Sequence, residues 1–205
     1  MATPFEFYFD FSSPYGYFAS TQIDALAAEF NRNVRWRPIL LGAIFKKTSA
    51  APLTELPLKG NYALRDFART AALFGIPYSQ PARFPIATVG AARAMLWIEQ
   101  NAGETKAKEF AHRVYRAYFA EGQDIDNLGT IKELADKAGI DATLLADAIQ
   151  QESVKTALRN QIETAMDKGV FGSPFIFIDG EPFWGFDRFD YIRKWLRNET
   201  KPKAR

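Results

Sequence analysis

The chain opens on a strict alternation. Phenylalanine stands at positions 5, 7, 9 and 11, with Glu6, Tyr8 and Asp10 between them. A period of two predicts a β-strand. Tyr8 on the opposite face predicts that both faces are partly covered, as in a central strand of an α/β sheet. Ser12-Ser13-Pro14 ends the run. A helix is predicted from about Tyr15 to Phe30, with Phe18, Ile23, Leu26 and Phe30 as its apolar stripe. Ser13 stands where an N-cap belongs, and Pro14 suits the first helical position. Val34-Arg35-Trp36-Arg37 alternates again and reads as a second strand. The resulting βαβ unit is about forty residues long, as expected for a compact parallel crossover.

The pattern then changes. From about Ile44 to Lys168 no segment reads as a strand. Helical periodicity predicts helices near 62–74, 88–101, 104–120, 130–138, 142–151 and 153–168. Pro77, Pro81 and Pro85 separate the first two, Thr130 and Glu133 have capping-box spacing, and Gly169 follows the last helix as a C′ glycine should. Strands return at Pro174-Phe175-Ile176-Phe177-Ile178. Asp179-Gly180 is a two-residue hairpin signal, and Glu181-Pro182-Phe183-Trp184 is the return strand. Asp187 is expected to cap a final helix running to about Asn198. The order βαβ, helices, ββα resembles thioredoxin with a large all-helical insertion, an α/β fold. It divides the chain into a discontinuous domain, 1–43 plus 169–205, and an insertion, 44–168.

Composition narrows the chemistry. A hydrophobic share of 47% and a charged share of 24% are those of an ordinary globular protein. Lys and Arg number 26 against 24 Asp and Glu, a net charge of +2 that is too weak to suggest a nucleic acid or a membrane surface as partner. The basic tail from Lys201 to Arg205 reads as a frayed end. There is no cysteine, so disulfide exchange and thiolate catalysis by the protein itself are excluded, and the single histidine, His112, argues against a metal site. His112 reads as a surface or satisfied side chain. No signal peptide or spanning segment is evident, so a cytoplasmic location is the expectation.

Three short segments carry candidate chemistry. Ser13-Pro14-Tyr15-Gly16 occupies the place where a thioredoxin fold holds Cys-x-x-Cys. The helix N-terminus is kept, with its free N–H groups, and both thiols are gone. Such a site is suited to holding a thiolate from elsewhere. A hydrogen bond from a hydroxyl to a charged sulfur would lower a thiol pKa by about 1–2 units; the plainer reading of Ser13 is an N-cap alone. In Gly172-Ser173-Pro174, a cis peptide would let the Ser173 backbone pair with a peptide ligand as an added strand does; the plainer reading is an ordinary trans turn. In Trp184-Gly185-Phe186-Asp187-Arg188, Asp187 is free to accept from an ammonium group, or is a helix cap only.

These segments together, with Asp10-Phe11-Ser12-Ser13-Pro14-Tyr15, Pro57-Leu58-Lys59-Gly60 and Phe74-Gly75-Ile76-Pro77, resemble the kappa-class glutathione transferases and their branch of bacterial 2-hydroxychromene-2-carboxylate isomerases. The resemblance runs from about Phe5 to Leu196. It implies reduced glutathione as cofactor. Ser13 would contact its sulfur; Ser173, before Pro174, would pair with its cysteinyl unit. Trp184, Gly185, Phe186 and Asp187 would surround its γ-glutamyl end, and Lys59 would meet its glycine carboxylate. Lys46, or Lys47 in the other register, would meet a substrate carboxylate. Phe84 stands where an isomerase tyrosine would be, Phe186 replaces a small polar residue, and the pattern's asparagine near Ala50 is absent. The implied activity is isomerisation of aromatic-degradation intermediates, small aromatic or conjugated carboxylates, by a homodimer. The alternatives are a conjugating transferase and a non-enzymatic thioredoxin-like peptide binder.

Overall fold

The computed structural model describes residues 3–198; the basic tail lies outside the described residues. Strand β1 (Phe5–Phe9) lies parallel to β2 (Val34–Pro38), with Phe5 opposite Val34 and Phe9 opposite Pro38. On its other side β1 pairs antiparallel with β3 (Phe175–Ile178), Phe7 facing Ile176, and β3 pairs antiparallel with β4 (Glu181–Trp184). The order β2-β1-β3-β4 makes one mixed sheet from the two ends of the chain. This is the thioredoxin arrangement with a helical insertion that the sequence pattern predicts.

The alternation along the strands sorts side chains onto two faces. Phe5, Phe7, Phe9, Val34, Trp36, Ile176 and Ile178 join one buried cluster; Tyr8 and Phe175 join another. Helices α1 (Pro14–Ser20) and α2 (Ile23–Ala28) cover the first face. Helices α3 (Leu41–Thr48), α4 (Lys59–Phe74), α5 (Val89–Ala102) and α6 (Glu104–Phe119) begin the insertion. It continues through α7 (Leu128–Lys137), α8 (Ala142–Ala148) and α9 (Glu152–Asp167), and α10 (Phe189–Leu196) closes the chain. Helix α5 feeds both clusters, with Met95 and Ile98 in one and Ala92 and Leu96 in the other. The inserted helices therefore build the same core as the sheet. Among the described residues no helix is long and apolar enough to cross a membrane.

Four local expectations are corrected. The single helix expected from Tyr15 to Phe30 is two, α1 and α2. The Ser20 and Thr21 hydroxyls donate to the carbonyls of Tyr17 (2.6 Å) and Phe18 (2.7 Å), and the Thr21 and Gln22 N–H groups bond three residues back, so the helix tightens and stops. Helix α3 forms where the sequence pattern predicts no element. Helix α7 is capped by Asn127, whose side chain accepts from the Gly129 N–H at 2.7 Å; Thr130 lies inside the helix and no capping box forms. Asp187 does not cap the last helix: it sits in a 3-10 turn, Phe186–Arg188, and its carboxylate pairs with Arg188 at 3.0 Å.

Other expectations hold. Asp179 and Gly180 both have positive φ, 52° and 87°, as a type I′ hairpin turn requires. Gly169 ends α9 in a Schellman arrangement, with Gly169 N–H to the Met166 carbonyl and Val170 N–H to the Ala165 carbonyl, both 2.9 Å. His112 is exposed, its ring 4.9 Å from that of Trp36.

Candidate active site

Ser13 is the N-cap of α1, with extended backbone and Pro14 next to it. Its Oγ accepts from the Gly16 N–H at 3.0 Å and donates to the Ser173 carbonyl at 3.0 Å. The Tyr15 N–H, at the first turn, has no protein partner among the described residues. The Ser173–Pro174 peptide is cis. Ser173 is 8% exposed and Ser13 5%, so the pair sits just beneath the surface. The Pro174 carbonyl accepts from the Gly185 N–H at 3.1 Å and so ties the Trp184-Gly185 segment to the same cluster. The sequence-predicted elements around Ser13, Ser173, Pro174 and Gly185 are thus brought together.

The floor beneath them went unread in the sequence. Asp10 is 5% exposed. Its Oδ1 accepts from Ser12 N–H and Thr88 Oγ1–H, both at 2.8 Å, and its Oδ2 from Leu41 N–H at 2.7 Å. Its own N–H donates to Ser173 Oγ at 3.1 Å, and its carbonyl accepts from the buried Tyr115 hydroxyl at 3.0 Å. One residue thereby links the end of β1, the cis-proline loop, the start of α3, the residue before α5, and α6. Burial pushes the Asp10 carboxyl above its ordinary range, against the pull of its three donors. The Asp10-Phe11-Ser12 turn, with its side chain bonded two residues on, was a legible Asx signal; the partners on α3, α5 and α6 had none.

Around this pair lies an aromatic wall. The Tyr15 ring is 5.1 Å from Phe67, and Phe67 is 6.1 Å from Phe84. Phe84 is followed by a second cis proline, Pro85, and the Ile86 N–H donates to Ser12 Oγ at 3.1 Å. The Tyr15 hydroxyl donates to Asp66 at 2.5 Å. Burial first, then the carboxylates of Asp66 and Asp187, push the Tyr15 phenol well above its ordinary range. Phe186 turns inward, 4.7 Å from Phe74 and 5.2 Å from Phe189, and is buried. The Trp184 indole lies against Gly172, where a Cβ would collide with it, and meets the Phe171 ring edge-on at 4.9 Å.

The candidate lysines lie further out. Lys59 opens α4 and is exposed; Lys46 and Lys47 are exposed in the last turn of α3. None of the three makes an ion pair among the described residues. Lys47, with Thr48, Met166, Asp167, Gly169, Val170 and Phe171, lines a groove of about 230 Å³; Lys46 does not line it.

Comparison with known proteins agrees with this architecture. The family described as "DSBA-like thioredoxin domain" matches residues 5–197. A 2-hydroxychromene-2-carboxylate isomerase of Sphingobium xenophagum is 28% identical over 198 residues, covering 96% of this chain and 99% of that one. Glutathione S-transferase kappa 1 of Rattus norvegicus is 27% identical over 208 residues, covering 93% and 92%. A solved 2-hydroxychromene-2-carboxylate isomerase superposes with a TM-score of 0.84 at 24% identity, covering 95% of each chain.

Proposed function

We infer the function from one premise: the chain belongs to the DSBA-like thioredoxin domain family, among relatives that are enzymes. We propose that it is a glutathione-dependent isomerase of aromatic-degradation intermediates, acting on 2-hydroxychromene-2-carboxylate or a compound close to it. The observation that carries the reading is Ser13 Oγ, at the N-terminus of α1 and against the Ser173 carbonyl, where the fold's thiol would stand in a chain without cysteine.

The residues present fit glutathione. The Tyr15 and Ser173 N–H groups have no protein partner among the described residues, which is what a peptide with a thiolate needs. When bound, glutathione would supply a nucleophilic thiolate that adds to a conjugated substrate and is expelled after bond rotation, so that it is not consumed. Ser13 and the helix N-terminus lower the pKa of that thiol. The Ser173 backbone, beside Pro174, holds the cysteinyl unit. Trp184 and Gly185 shape the γ-glutamyl end, the Phe186 and Asp187 backbone amides and the Asp187 carboxylate bind it, and Lys59 takes the glycine carboxylate. Lys46 or Lys47 takes the substrate carboxylate, and Phe84 with Phe67 and Tyr15 gives the flat, apolar side of the substrate pocket. In this reading 1–43 plus 169–205 supplies the glutathione contacts other than Lys59, and 44–168 supplies Lys59 and the substrate contacts other than Tyr15. The enzyme is a cytoplasmic homodimer, working where the glutathione pool is kept reduced.

A conjugating transferase is the second reading, favoured by the relatives named glutathione S-transferase kappa. Calorimetric titration with reduced glutathione tests the common premise: absence of binding at millimolar ligand rejects both. Glutathione counted before and after turnover separates them. Its full recovery is expected; loss of one equivalent per product makes the protein a transferase.

A further inference from the structure

Ser13 has one hydroxyl proton, and in this structure it is already committed. Ser13 Oγ donates to the Ser173 carbonyl at 3.0 Å while accepting from the Gly16 N–H at 3.0 Å. Among the described residues the Ser173 carbonyl has no other donor. On the reading that a thiol binds at Ser13, this poses a conflict. A hydroxyl that donates to a carbonyl cannot also donate to sulfur. Turning the O–H toward sulfur would strand the carbonyl of a buried residue, the costly kind of hydrogen-bond loss.

We infer that the ligand resolves the conflict with its own amide. A cysteinyl unit carries an N–H on the carbon next to its thiol-bearing carbon. That N–H takes over the Ser173 carbonyl and releases the Ser13 hydroxyl to the sulfur. Only the hydroxyl hydrogen turns; Oγ stays in place and keeps the Gly16 N–H, so the cap of α1 survives the change. The Ser173 carbonyl is thereby a specificity determinant. Acylated β-aminothiols, such as cysteinyl peptides, arm Ser13. Alkyl thiols without the N–H leave the hydroxyl on the carbonyl and gain nothing from it.

A backbone carbonyl cannot be removed by substitution, so the test changes the ligand. The probes are glutathione and its depsipeptide analogue, in which the γ-glutamyl–cysteinyl amide N–H is an ester oxygen. The readout is the pKa of the bound thiol from ultraviolet thiolate absorbance, each referred to its value free in solution. In the wild-type protein the ester's thiol is expected to titrate about one to two units above glutathione's. In Ser13→Ala the two should titrate together. Ser13→Gly, which a helix N-cap tolerates better, gives the same comparison if the alanine variant folds poorly. Equal titration of the two bound ligands in the wild type overturns the hand-over and leaves the proposed function standing. Failure of glutathione itself to bind overturns both.

Discussion

A Cβ built on Gly16 would lie 2.7 Å from both Ser173 Oγ and Tyr115 Oη. Neither oxygen can simply turn aside. Ser173 Oγ accepts from the Asp10 N–H, and the Tyr115 hydroxyl donates to the Asp10 carbonyl. Gly16→Ala is therefore expected to destabilise the protein by about 1–2 kcal/mol, even though alanine favours a helix. It should also weaken glutathione binding, because Ser13 and Ser173 are forced apart. Urea unfolding and titration of the same sample check both; a stabilised variant with unchanged affinity would show that the cluster gives way. Lys59 tests a different kind of claim. It is exposed and unpaired among the described residues, so Lys59→Ala should leave stability alone and weaken glutathione binding roughly tenfold. Unchanged affinity by calorimetry removes Lys59 from the site. Ser13 was legible in the sequence because an N-cap and a missing thiol leave local marks. Gly16's need to be glycine was not, since its two neighbours come from 99 and 157 residues away.

At the scale of elements, what the chain encodes locally is what the sequence revealed. The β3–β4 hairpin follows from Asp179-Gly180 at positive φ between two apolar runs. Arg32 adds a bidentate grip on the Asp179 carboxylate, 2.8 Å to each oxygen. Gly180→Ala should cost about 1–2 kcal/mol, the penalty for a side chain in the left-handed region. The turn lies at the end of β3 remote from Ser173, so the thiol pKa of bound glutathione should not move. Chemical denaturation and ultraviolet titration give the two numbers; a shifted thiol pKa would mean that the hairpin and the site are coupled. Helix α3 shows the opposite case. Its N-cap is Leu40, which has no side-chain acceptor, and the Leu41 N–H is satisfied by Asp10 instead. A cap supplied from 31 residues upstream leaves no signal in the helix's own sequence.

At the scale of the molecule, Asp10 joins the two ends of the chain to the inserted helices. Its carboxyl is pushed above the ordinary range by burial, so between its unfolded value of about 3.9 and its folded value the native state holds the extra proton. Stability from this residue is complete below the unfolded pKa and is lost as pH rises through the folded one. Asp10→Asn cannot titrate. It must also aim an amide N–H₂ at either the Leu41 or the Ser12 N–H, leaving one donor unsatisfied, at a cost of about 1–3 kcal/mol. The variant is expected to be less stable than the wild type at acid pH, with the gap narrowing as pH rises. Urea midpoints across the pH range measure it. A gap that widens with pH would show that the three donors overcome burial and hold the carboxyl below its ordinary range.

The sequence by itself determined the strands, the hairpin, the helical character of the insertion, the cap at Ser13 and the absence of any protein thiol. Each of these is written in short-range periodicity, turn chemistry or composition. Through the family resemblance that its motifs carry, it also implied that Ser173-Pro174 and Trp184-Gly185 lie beside Ser13. Only the tertiary structure decided that the Ser13 proton rests on the Ser173 carbonyl, that Asp10 ties β1 to α3, α5 and α6, and that Phe84 and Phe67 stand with Tyr15. It also decided that Asp187 belongs to a 3-10 turn and not to a helix cap. These are contacts between residues distant along the chain, or choices between two local geometries of similar energy. Folding settles them by satisfying buried donors and acceptors together, and no window of neighbouring residues contains that information.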